Sequence, residues 1–140
     1  GQVYAFGASS ISQLWGAYAQ NQKDISKYME AIETTGTAIE RGYKLSKQEL
    51  IVRSVINCIM CNGLLDLSGI ANEFELSLDD LKTLLNFDPS KFEGFIEDGL
   101  MQLDNNQIKL TEKGFLCARN IAMTLDPALK SGEGVYSKTV

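Results

Sequence analysis

The sequence predicts a mainly α-helical fold with a small β wing, in which a winged-helix-like domain follows a strand, a loop and a helix that do not belong to it. Apolar residues recur at helical spacing over most of the chain, and Ser or Asp stands where several helices would begin. Near the end, two short alternating runs flank Asn105-Asn106, which is typical of a β-hairpin. A final helix follows that hairpin, as in a winged helix.

The first elements read as strand, loop and helix. Residues 3–6 are apolar and predict a short buried strand that ends at Gly7. Residues 8–22 are rich in Ser, Gly and aromatic side chains without a clean period, so we expect an irregular loop. The next apolar stripe is helical and ends at Gly36, and residues 37–45 would be a connector.

The winged-helix-like part has clear start and stop signals. Ser46 and Glu49 form a capping box, and Gly63 supplies a stop for the helix that follows. A short extended piece and a short helix come next. Ser77 and the Asp88-Pro89 pair each indicate a further helix start.

Composition excludes several classes of function. The chain has 140 residues, 13 basic and 18 acidic, a formal net charge of -5 and no histidine. An acidic protein is poorly suited to neutralise phosphates, and no apolar run reaches the length of a membrane span, so we expect neither a nucleic-acid nor a membrane partner. Three cysteines do not make a disulfide framework, which favours a reducing, cytoplasmic location.

The Cys58-x-x-Cys61 pair raises the question of a redox or metal site. Redox pairs lie at helix starts, whereas these cysteines lie deep within the helix that begins at Ser46. A tetrahedral zinc site needs four ligands, and only Cys117 remains. We therefore predict no metal site and interpret both as small apolar residues of a core.

The presumed recognition helix argues against DNA binding. It carries Lys91 alone against the acidic residues Asp88, Glu93, Glu97 and Asp98. Such a helix would be repelled by the phosphates and offers no Arg or Asn for base edges.

Residues 8–22 leave two interpretations open. They contain Trp15, Tyr18, Gln20 and Asn21 in a stretch too irregular for a simple core element. The segment could be a structured loop packed on its neighbours. It could equally line a ligand site, because small residues admit a ligand and aromatic and amide groups contact it.

Several stretches together resemble the C-terminal part of the oxygen-independent coproporphyrinogen III oxidases (coproporphyrinogen dehydrogenases), radical S-adenosylmethionine enzymes of haem biosynthesis. They are GASSIS (7–12), YAQN (18–21), ERG (40–42), RSVINCIMCN (53–62), LDL (65–67) and LTEKGFLCARNI (110–121). They follow the family's order over essentially the whole chain. The chain departs from the family pattern at Val52 and Ser54.

The resemblance implies a domain plan. Residues 1–45 would be the end of the radical S-adenosylmethionine barrel and a connector, residues 46–126 the winged-helix-like C-terminal domain, and residues 127–140 a loose tail. The full-length enzyme would hold S-adenosylmethionine and a 4Fe-4S cluster. The cluster cysteines would lie in the N-terminal barrel of the same protein, so this fragment would bind no cluster, hold no catalytic residue and be inactive alone.

The resemblance also implies site residues. Ile11 would pack against S-adenosylmethionine, with Ser9, Ser10 and Ser12 helping to orient it. The candidates on the substrate side are Tyr18, Gln20, Asn21 and Arg53. An Arg53 guanidinium could bind a propionate of coproporphyrinogen III bidentately, or it could form an internal salt bridge.

The implied reaction is oxidative decarboxylation of two propionates to vinyl groups, which gives protoporphyrinogen IX. This domain would cover the mouth of the barrel and help exclude water. The alternative from a different class is a winged-helix interaction or regulatory domain with no enzymatic parent. The electron donor is not predictable from the sequence.

Overall fold

The computed structural model describes residues 1–129, and the predicted loose tail at 127–140 lies almost wholly outside them. The chain divides into two compact units, Gly1–Leu50 and the part from Ile51 onward. Each unit contains one small three-stranded antiparallel sheet together with short helices. Within the described residues, no helix combines the length and apolar character needed to span a membrane.

The first unit is a three-stranded antiparallel sheet with one helix. Its elements are β1 (Ile11–Gln13), β2 (Ala17–Asn21), α1 (Ile25–Thr35) and β3 (Ile39–Lys44), with the strands in the order β1-β2-β3. The helix is confirmed, including its end at Gly36, which adopts a left-handed conformation and donates its N–H to the carbonyl of Ile32. The Asp24 carboxylate caps its other end by accepting from the N–H of Lys27.

Three predictions for the first unit are wrong. Residues 8–22 form a hairpin, not an irregular loop, and residues 37–45 contain strand β3, not a plain connector. The predicted strand at residues 3–6 reduces to one bridge between Val3 and Gln13, and Phe6 is 89% exposed. Polar and small residues alternate through β1 and β2, and this pattern gives no hydrophobic signal that would mark a strand.

The first unit has almost no core of its own. Its buried hydrophobic residues are Ala19 and Ala38, and α1 has no buried residue. Large apolar side chains are exposed instead. They are Val3, Tyr4, Phe6, Ile11, Trp15, Ile25, Met29, Ile32, Ile39 and Tyr43. Backbone ladders and caps therefore maintain this unit with little burial of apolar surface.

From residue 47 onward helices alternate with a second sheet. The elements are α2 (Lys47–Asn57), a π-helical turn (Cys58–Asn62), β4 (Leu64–Asp66), α3 (Leu67–Glu73), α4 (Leu78–Leu84), a 3-10 turn (Pro89–Phe92), α5 (Glu93–Glu97), β5 (Met101–Asp104), β6 (Gln107–Leu110), α6 (Glu112–Phe115) and α7 (Ala118–Met123). The strand order is β4-β6-β5. The predicted hairpin is confirmed, and the extended piece after Gly63 adds a third strand to it.

The predicted helix starts and stops in this part are confirmed. Ser46 and Glu49 make the reciprocal bonds of a capping box, with the Glu49 carboxylate accepting from the backbone N–H of Ser46 at 2.8 Å. The Ser77 hydroxyl caps α4, and the Asp88 carboxylate caps the 3-10 turn that Pro89 begins. Gly63 ends the π-helical turn in a left-handed conformation.

A continuous core fills the second unit. Ile51, Val55 and Ile59 recur at a spacing of four, so α2 and the turn after it present one apolar face. The core comprises Ile51, Val55, Ile59, Leu65, Leu67, Ile70, Ala71, Leu81, Leu85, Phe92, Met101, Ile108, Leu110, Ala118, Ile121, Ala122 and Leu125. Burial of a single large side chain of this kind contributes about 1.5–3 kcal/mol.

Candidate functional site

The turn at residues 7–10 is fixed by its own Ser10 side chain and by side chains from β2 and α1. The Ser10 hydroxyl donates to the carbonyl of Gly7 at 2.7 Å, and the Asn21 side-chain amide donates to the same carbonyl at 3.0 Å and to the Ser10 hydroxyl at 3.1 Å. The N–H of Gly7 donates to the Tyr28 hydroxyl at 3.1 Å. Ser10 and Asn21 thus use their polar groups to hold the turn that leads into β1.

Ser9 stands at the apex of that turn in an unfavourable conformation. Its φ of 62° lies in the left-handed region, which costs a non-glycine residue about 1–2 kcal/mol. Two bonds hold it there: its N–H donates to the carbonyl of Gln22 at 2.8 Å, and the Gln20 amide donates to its carbonyl at 3.2 Å. Strain that the surroundings maintain is common at ligand sites.

Ser12 serves the outer edge of the sheet. Its hydroxyl accepts from the N–H of Ala5 at 3.0 Å, while Gln13 exchanges two backbone bonds with Val3. The segment before β1 is therefore tied to that strand by three hydrogen bonds. Ser12 acts here as an anchor for the incoming chain.

Ile11 lies on the face of the sheet that carries the larger side chains. The register pairs Ile11 with Gln20 and Gln20 with Arg41, and in the next row it pairs Gln13 with Tyr18 and Tyr18 with Tyr43. Residues directly opposite each other in a sheet project on the same face. We call this set the Ile11 face. The Ile11 side chain is 56% exposed on it.

The backbone of Ile11 is also directed outward. Ser10 and Leu14 lie directly before and after β1. The Ser10 carbonyl accepts from the N–H of Asn21, and the N–H of Leu14 donates to the carbonyl of Ala17. Bonded and non-bonded pairs alternate in an antiparallel ladder, so the N–H and carbonyl of Ile11 point away from β2, toward the edge at which Val3 bridges Gln13. Ile11 thus combines an exposed apolar side chain with backbone groups that make no hydrogen bond to β2.

A β-bulge interrupts β3 next to this face. Gln20 pairs with Arg41 but Asn21 pairs with Ile39, so Glu40 is the extra residue. From Arg41 the strand resumes its alternation, which places Tyr43 on the Ile11 face. The sequence analysis did not select Arg41 or Tyr43 as site residues, because it interpreted residues 37–45 as a connector. The alternation of Ile39, Arg41 and Tyr43 is the signal that could have found them.

Tyr43 and Glu49 form a polar cluster with Ser46. The Tyr43 hydroxyl donates to one oxygen of the Glu49 carboxylate, and the other oxygen accepts from the N–H and hydroxyl of Ser46. The bond from Tyr43, followed by those from Ser46, lowers the pKa of Glu49. The same bond and the nearby negative charge raise the pKa of Tyr43. The cluster ties the end of β3 to the start of α2.

The remaining substrate-side candidates differ in place. Tyr18 is half-buried on the Ile11 face in the first unit. Arg53 is half-buried on α2 and belongs to the second unit. The structure thus brings together Ile11, Tyr18 and Gln20 on one face, with Ser9, Ser10 and Asn21 in the turn that supports it.

The cysteines do not form a metal centre in the described part of the chain. Among residues 1–129, no group of three or more His, Cys, Asp or Glu side chains could hold an ion. Cys58 packs against the core, and burial, followed by the nearby Glu73 and Cys61, raises the pKa of its thiol. The prediction that Cys61 is a core residue is wrong: it is exposed, because the π-helical turn changes the angular spacing and directs Ile59 inward.

The presumed recognition helix is only a 3-10 turn followed by the five residues of α5. The ammonium of Lys91 donates to the carbonyl of Asn86 at 3.1 Å. The carboxylate of Asp88 accepts from the N–H and hydroxyl of Ser90, which lowers its pKa. This surface presents acidic side chains and one already engaged lysine, which is a poor match for phosphates.

Comparison with known proteins places the chain. A family model described as the HemN C-terminal domain matches residues 45–117, just over half of the chain. The oxygen-independent coproporphyrinogen III oxidase of Escherichia coli K12 is 35% identical over 91% of this chain and 27% of that protein. Its namesake from Helicobacter pylori 26695 is 32% identical over 99% of this chain and 30% of that protein.

A solved structure agrees with these sequence matches. It is described as "Coproporphyrinogen III oxidase (HemN) from Escherichia coli is a Radical SAM enzyme" and superposes with a TM-score of 0.74 at 34% identity, over 91% of this chain and 29% of that one. The chain therefore spans less than a third of the length of these relatives. With its second unit matched by the family model and most of its length matched in sequence and fold, the chain belongs to the HemN C-terminal domain family.

Proposed function

We propose that this chain is the C-terminal part of an oxygen-independent coproporphyrinogen III oxidase. That enzyme oxidatively decarboxylates two propionates of coproporphyrinogen III to vinyl groups and so forms protoporphyrinogen IX. The observation that carries the proposal is the extent of the similarity: relatives of that name match 91% to 99% of this chain. A shared C-terminal covering domain alone would leave the first unit unmatched.

The first unit would be the end of a radical S-adenosylmethionine barrel, and the preceding part of the protein would cover its exposed apolar side chains. Helix α1 supports this, because it has no buried residue although Ile25, Met29 and Ile32 recur along it at helical spacing. Exposed apolar surface on that scale indicates a missing partner. The preceding barrel of the same protein is the partner that the length of the relatives suggests.

The Ile11 face would receive S-adenosylmethionine. The exposed Ile11 side chain offers an apolar contact, and its outward N–H and carbonyl offer polar ones. Ser9, Ser10 and Ser12 would help to orient the ligand by holding this edge in place. Their hydrogen bonds run to neighbouring groups of the first unit, namely Gln20, Gly7 and Ala5. The described residues offer no ligand set for a 4Fe-4S cluster. The barrel would hold that cluster, which with S-adenosylmethionine supplies the radical chemistry.

On the substrate side we assign different tasks to the candidates. Tyr18 and Gln20 lie on the Ile11 face and would contact the substrate, while Asn21 would act through the turn that it holds. Arg53 would bind a propionate, because a guanidinium matches a carboxylate with two parallel hydrogen bonds. In the assembled enzyme these groups would orient the propionate that loses its carboxylate.

The part from Ile51 onward would be a winged-helix-like domain that helps to close the active site. The helix α2, the strand β4 and the sheet order β4-β6-β5 with a hairpin at its edge support that description. We assign residues 1–45 to the barrel end and connector and 46–126 to this domain. The whole protein would act in the cytoplasm, and the 140-residue chain alone would be inactive.

An anaerobic assay of the full-length reading frame tests this proposal. The purified protein would be reconstituted with iron and sulfide and incubated with coproporphyrinogen III, S-adenosylmethionine and a low-potential reductant. Protoporphyrinogen IX and 5'-deoxyadenosine should appear, and the 140-residue chain should give neither. A cluster-loaded protein that cleaves S-adenosylmethionine without changing coproporphyrinogen would contradict the assigned substrate.

A further inference from the structure

We propose that Arg41 binds a carboxylate of a small molecule seated on the Ile11 face. This inference rests on the proposed function for the identity of that molecule, but not for the chemistry of the contact. The resemblance includes Arg41 in the stretch ERG but assigns it no role. Its assignment comes from the register of β3 against β2 and from what surrounds its guanidinium.

The register places Arg41 in the same row as Ile11. Ile11 pairs with Gln20 and Gln20 with Arg41, so the three side chains stand side by side across the sheet. Neighbouring strands are about 4.8 Å apart, which puts the outer two α-carbons roughly 10 Å from each other. A molecule that packs on Ile11 and extends across Gln20 would therefore bring its far end within reach of a guanidinium.

The guanidinium has no partner among residues 1–129. The described residues give Arg41 neither a hydrogen bond, nor a salt bridge, nor a ring contact, and its side chain is exposed. The carboxylate of Glu49 accepts its hydrogen bonds from Tyr43 and Ser46, and not from Arg41. The cation on this face is therefore uncompensated in the described part of the protein, whereas Arg53 is engaged.

The bulge in β3 supports a dedicated position. Glu40 is the extra residue, and it lies directly before Arg41. Bulges re-aim the side chains beside them and are frequent next to active sites. If Glu40 instead paired regularly with Gln20, Arg41 would lie opposite Ala19 and every later side chain of β3 would change face, since the side-chain period of a strand is two. The bulge is thus what aligns Arg41 with Gln20 and Tyr43 with Tyr18.

Two molecules of the proposed reaction carry such a carboxylate. S-Adenosylmethionine has one on its methionine part, and coproporphyrinogen III has four propionates. The structure favours carboxylate chemistry in either case, because the row ends in a planar guanidinium that can donate two parallel hydrogen bonds to a carboxylate. The experiment below separates the two sources.

The test compares Arg41→Gln, Arg41→Lys and Lys44→Gln in the full-length protein. Lys44 is a matched control, because it is an exposed cation of the same strand that pairs with Ala17 on the opposite face. The probes are S-adenosylmethionine, coproporphyrin III and coproporphyrin III tetramethyl ester, and the readouts are their Kd values together with KM and kcat. Thermal midpoints check that each variant folds.

We expect Arg41→Gln to raise the Kd of one carboxylate ligand about 10- to 100-fold, which corresponds to one or two intervals of about 1.4 kcal/mol. Arg41→Lys should recover part of that loss, and Lys44→Gln should stay within twofold of wild type. Weakened binding of coproporphyrin III, with the ester binding equally to wild type and variant, identifies a propionate. Weakened binding of S-adenosylmethionine alone identifies the cofactor carboxylate.

The results also separate this inference from the proposed function. A wild-type protein that makes protoporphyrinogen while Arg41→Gln matches Lys44→Gln in every Kd overturns the role of Arg41 and leaves the function standing. A wild-type protein that is inactive on coproporphyrinogen but binds a carboxylate probe through Arg41 does the reverse. Absence of binding to all probes overturns both.

Discussion

The two units of this chain are stabilised in different ways. Between Ile51 and Leu129, seventeen buried apolar residues form one core that joins helices and the β4-β6-β5 sheet. Residues 1–50 bury only Ala19 and Ala38 among their apolar residues and expose Phe6, Trp15 and Ile25 more than 70%. The first unit has a regular ladder and good caps, but it lacks the apolar burial that offsets the entropy of ordering a chain.

The difference shows that a segment can have a well-defined local structure with little apolar burial, which is why we propose a partner for the first unit. Hydrogen bonds give a modest net stabilisation, because water satisfies the same groups in the unfolded chain. The first unit also carries Ser9 in a left-handed conformation, and backbone strain of this kind is frequent at functional sites. We propose that most of the candidate site residues lie in the first unit, and that Arg53 is contributed by the second.

The largest stability effect should come from removing one core side chain. Phe92 is fully buried in the second unit, so Phe92→Ala should lower the free energy of unfolding of the chain by about 3–5 kcal/mol. The matched change in the first unit is Ile25→Ala, where the side chain is 72% exposed. It should alter that free energy by less than about 0.5 kcal/mol. Urea unfolding followed by circular dichroism measures the two changes in free energy. Equal changes for Phe92→Ala and Ile25→Ala would contradict the difference in burial between the two units.

Ile11→Asp should separate stability from activity. In the full-length enzyme a carboxylate at this position would face the bound cofactor, and leaving it poorly solvated costs about 2–3 kcal/mol or more. We expect protoporphyrinogen formation to fall about 100-fold, while protein yield and the cluster absorption stay at wild-type levels. Ile11→Val keeps the apolar contact and should retain most activity. Normal turnover in a folded Ile11→Asp enzyme would show that this face is structural.

The smallest effect concerns the Tyr43, Ser46 and Glu49 cluster. The pKa of Glu49 is lowered in the folded protein, so its carboxylate contributes stability above about pH 4.3, the usual value for a glutamate, and that contribution is lost as pH falls through the folded pKa. Glu49→Gln should flatten the fall in thermal midpoint over this acidic range. Tyr43→Phe removes the hydrogen bond that contributes most to the lowered pKa of Glu49, so it should weaken the pH dependence of the thermal midpoint. If both variants keep the wild-type dependence of the thermal midpoint on pH, the cluster does not contribute to stability.

Sequence reasoning succeeded where local chemistry decides the outcome. The capping box at Ser46, the stops at Gly36 and Gly63 and the hairpin around Asn105-Asn106 are each determined by a few adjacent residues, and all are present. It failed for the β1-β2-β3 sheet, since these strands alternate without a buried apolar face. Residues 1–50 bury only Ala19 and Ala38 among their apolar residues, and a periodicity argument detects only an apolar face that a segment presents to a core.

The candidate site was predictable only in part, and for the same reason. The stretch GASSIS and the stretch YAQN identified Ile11, Gln20 and Asn21 through resemblance, but not the turn that joins them. The role we propose for Arg41 could not be predicted from the sequence, because it depends on the register of a strand that the sequence did not reveal. Cys61 was misplaced because a π-helical turn changes the spacing on which the prediction relied.

Hydrogen exchange most directly tests the claim that the first unit depends on the preceding part of a longer protein. Amide exchange would be measured by mass spectrometry on the 140-residue chain and on the full-length protein. In the short chain, we expect residues 1–50 to exchange within seconds to minutes, while α2, β6 and α7 stay protected for hours. In the full-length protein both regions should be protected. Equal and strong protection of residues 1–50 in the short chain would contradict the account, because the first unit would then be stable by itself.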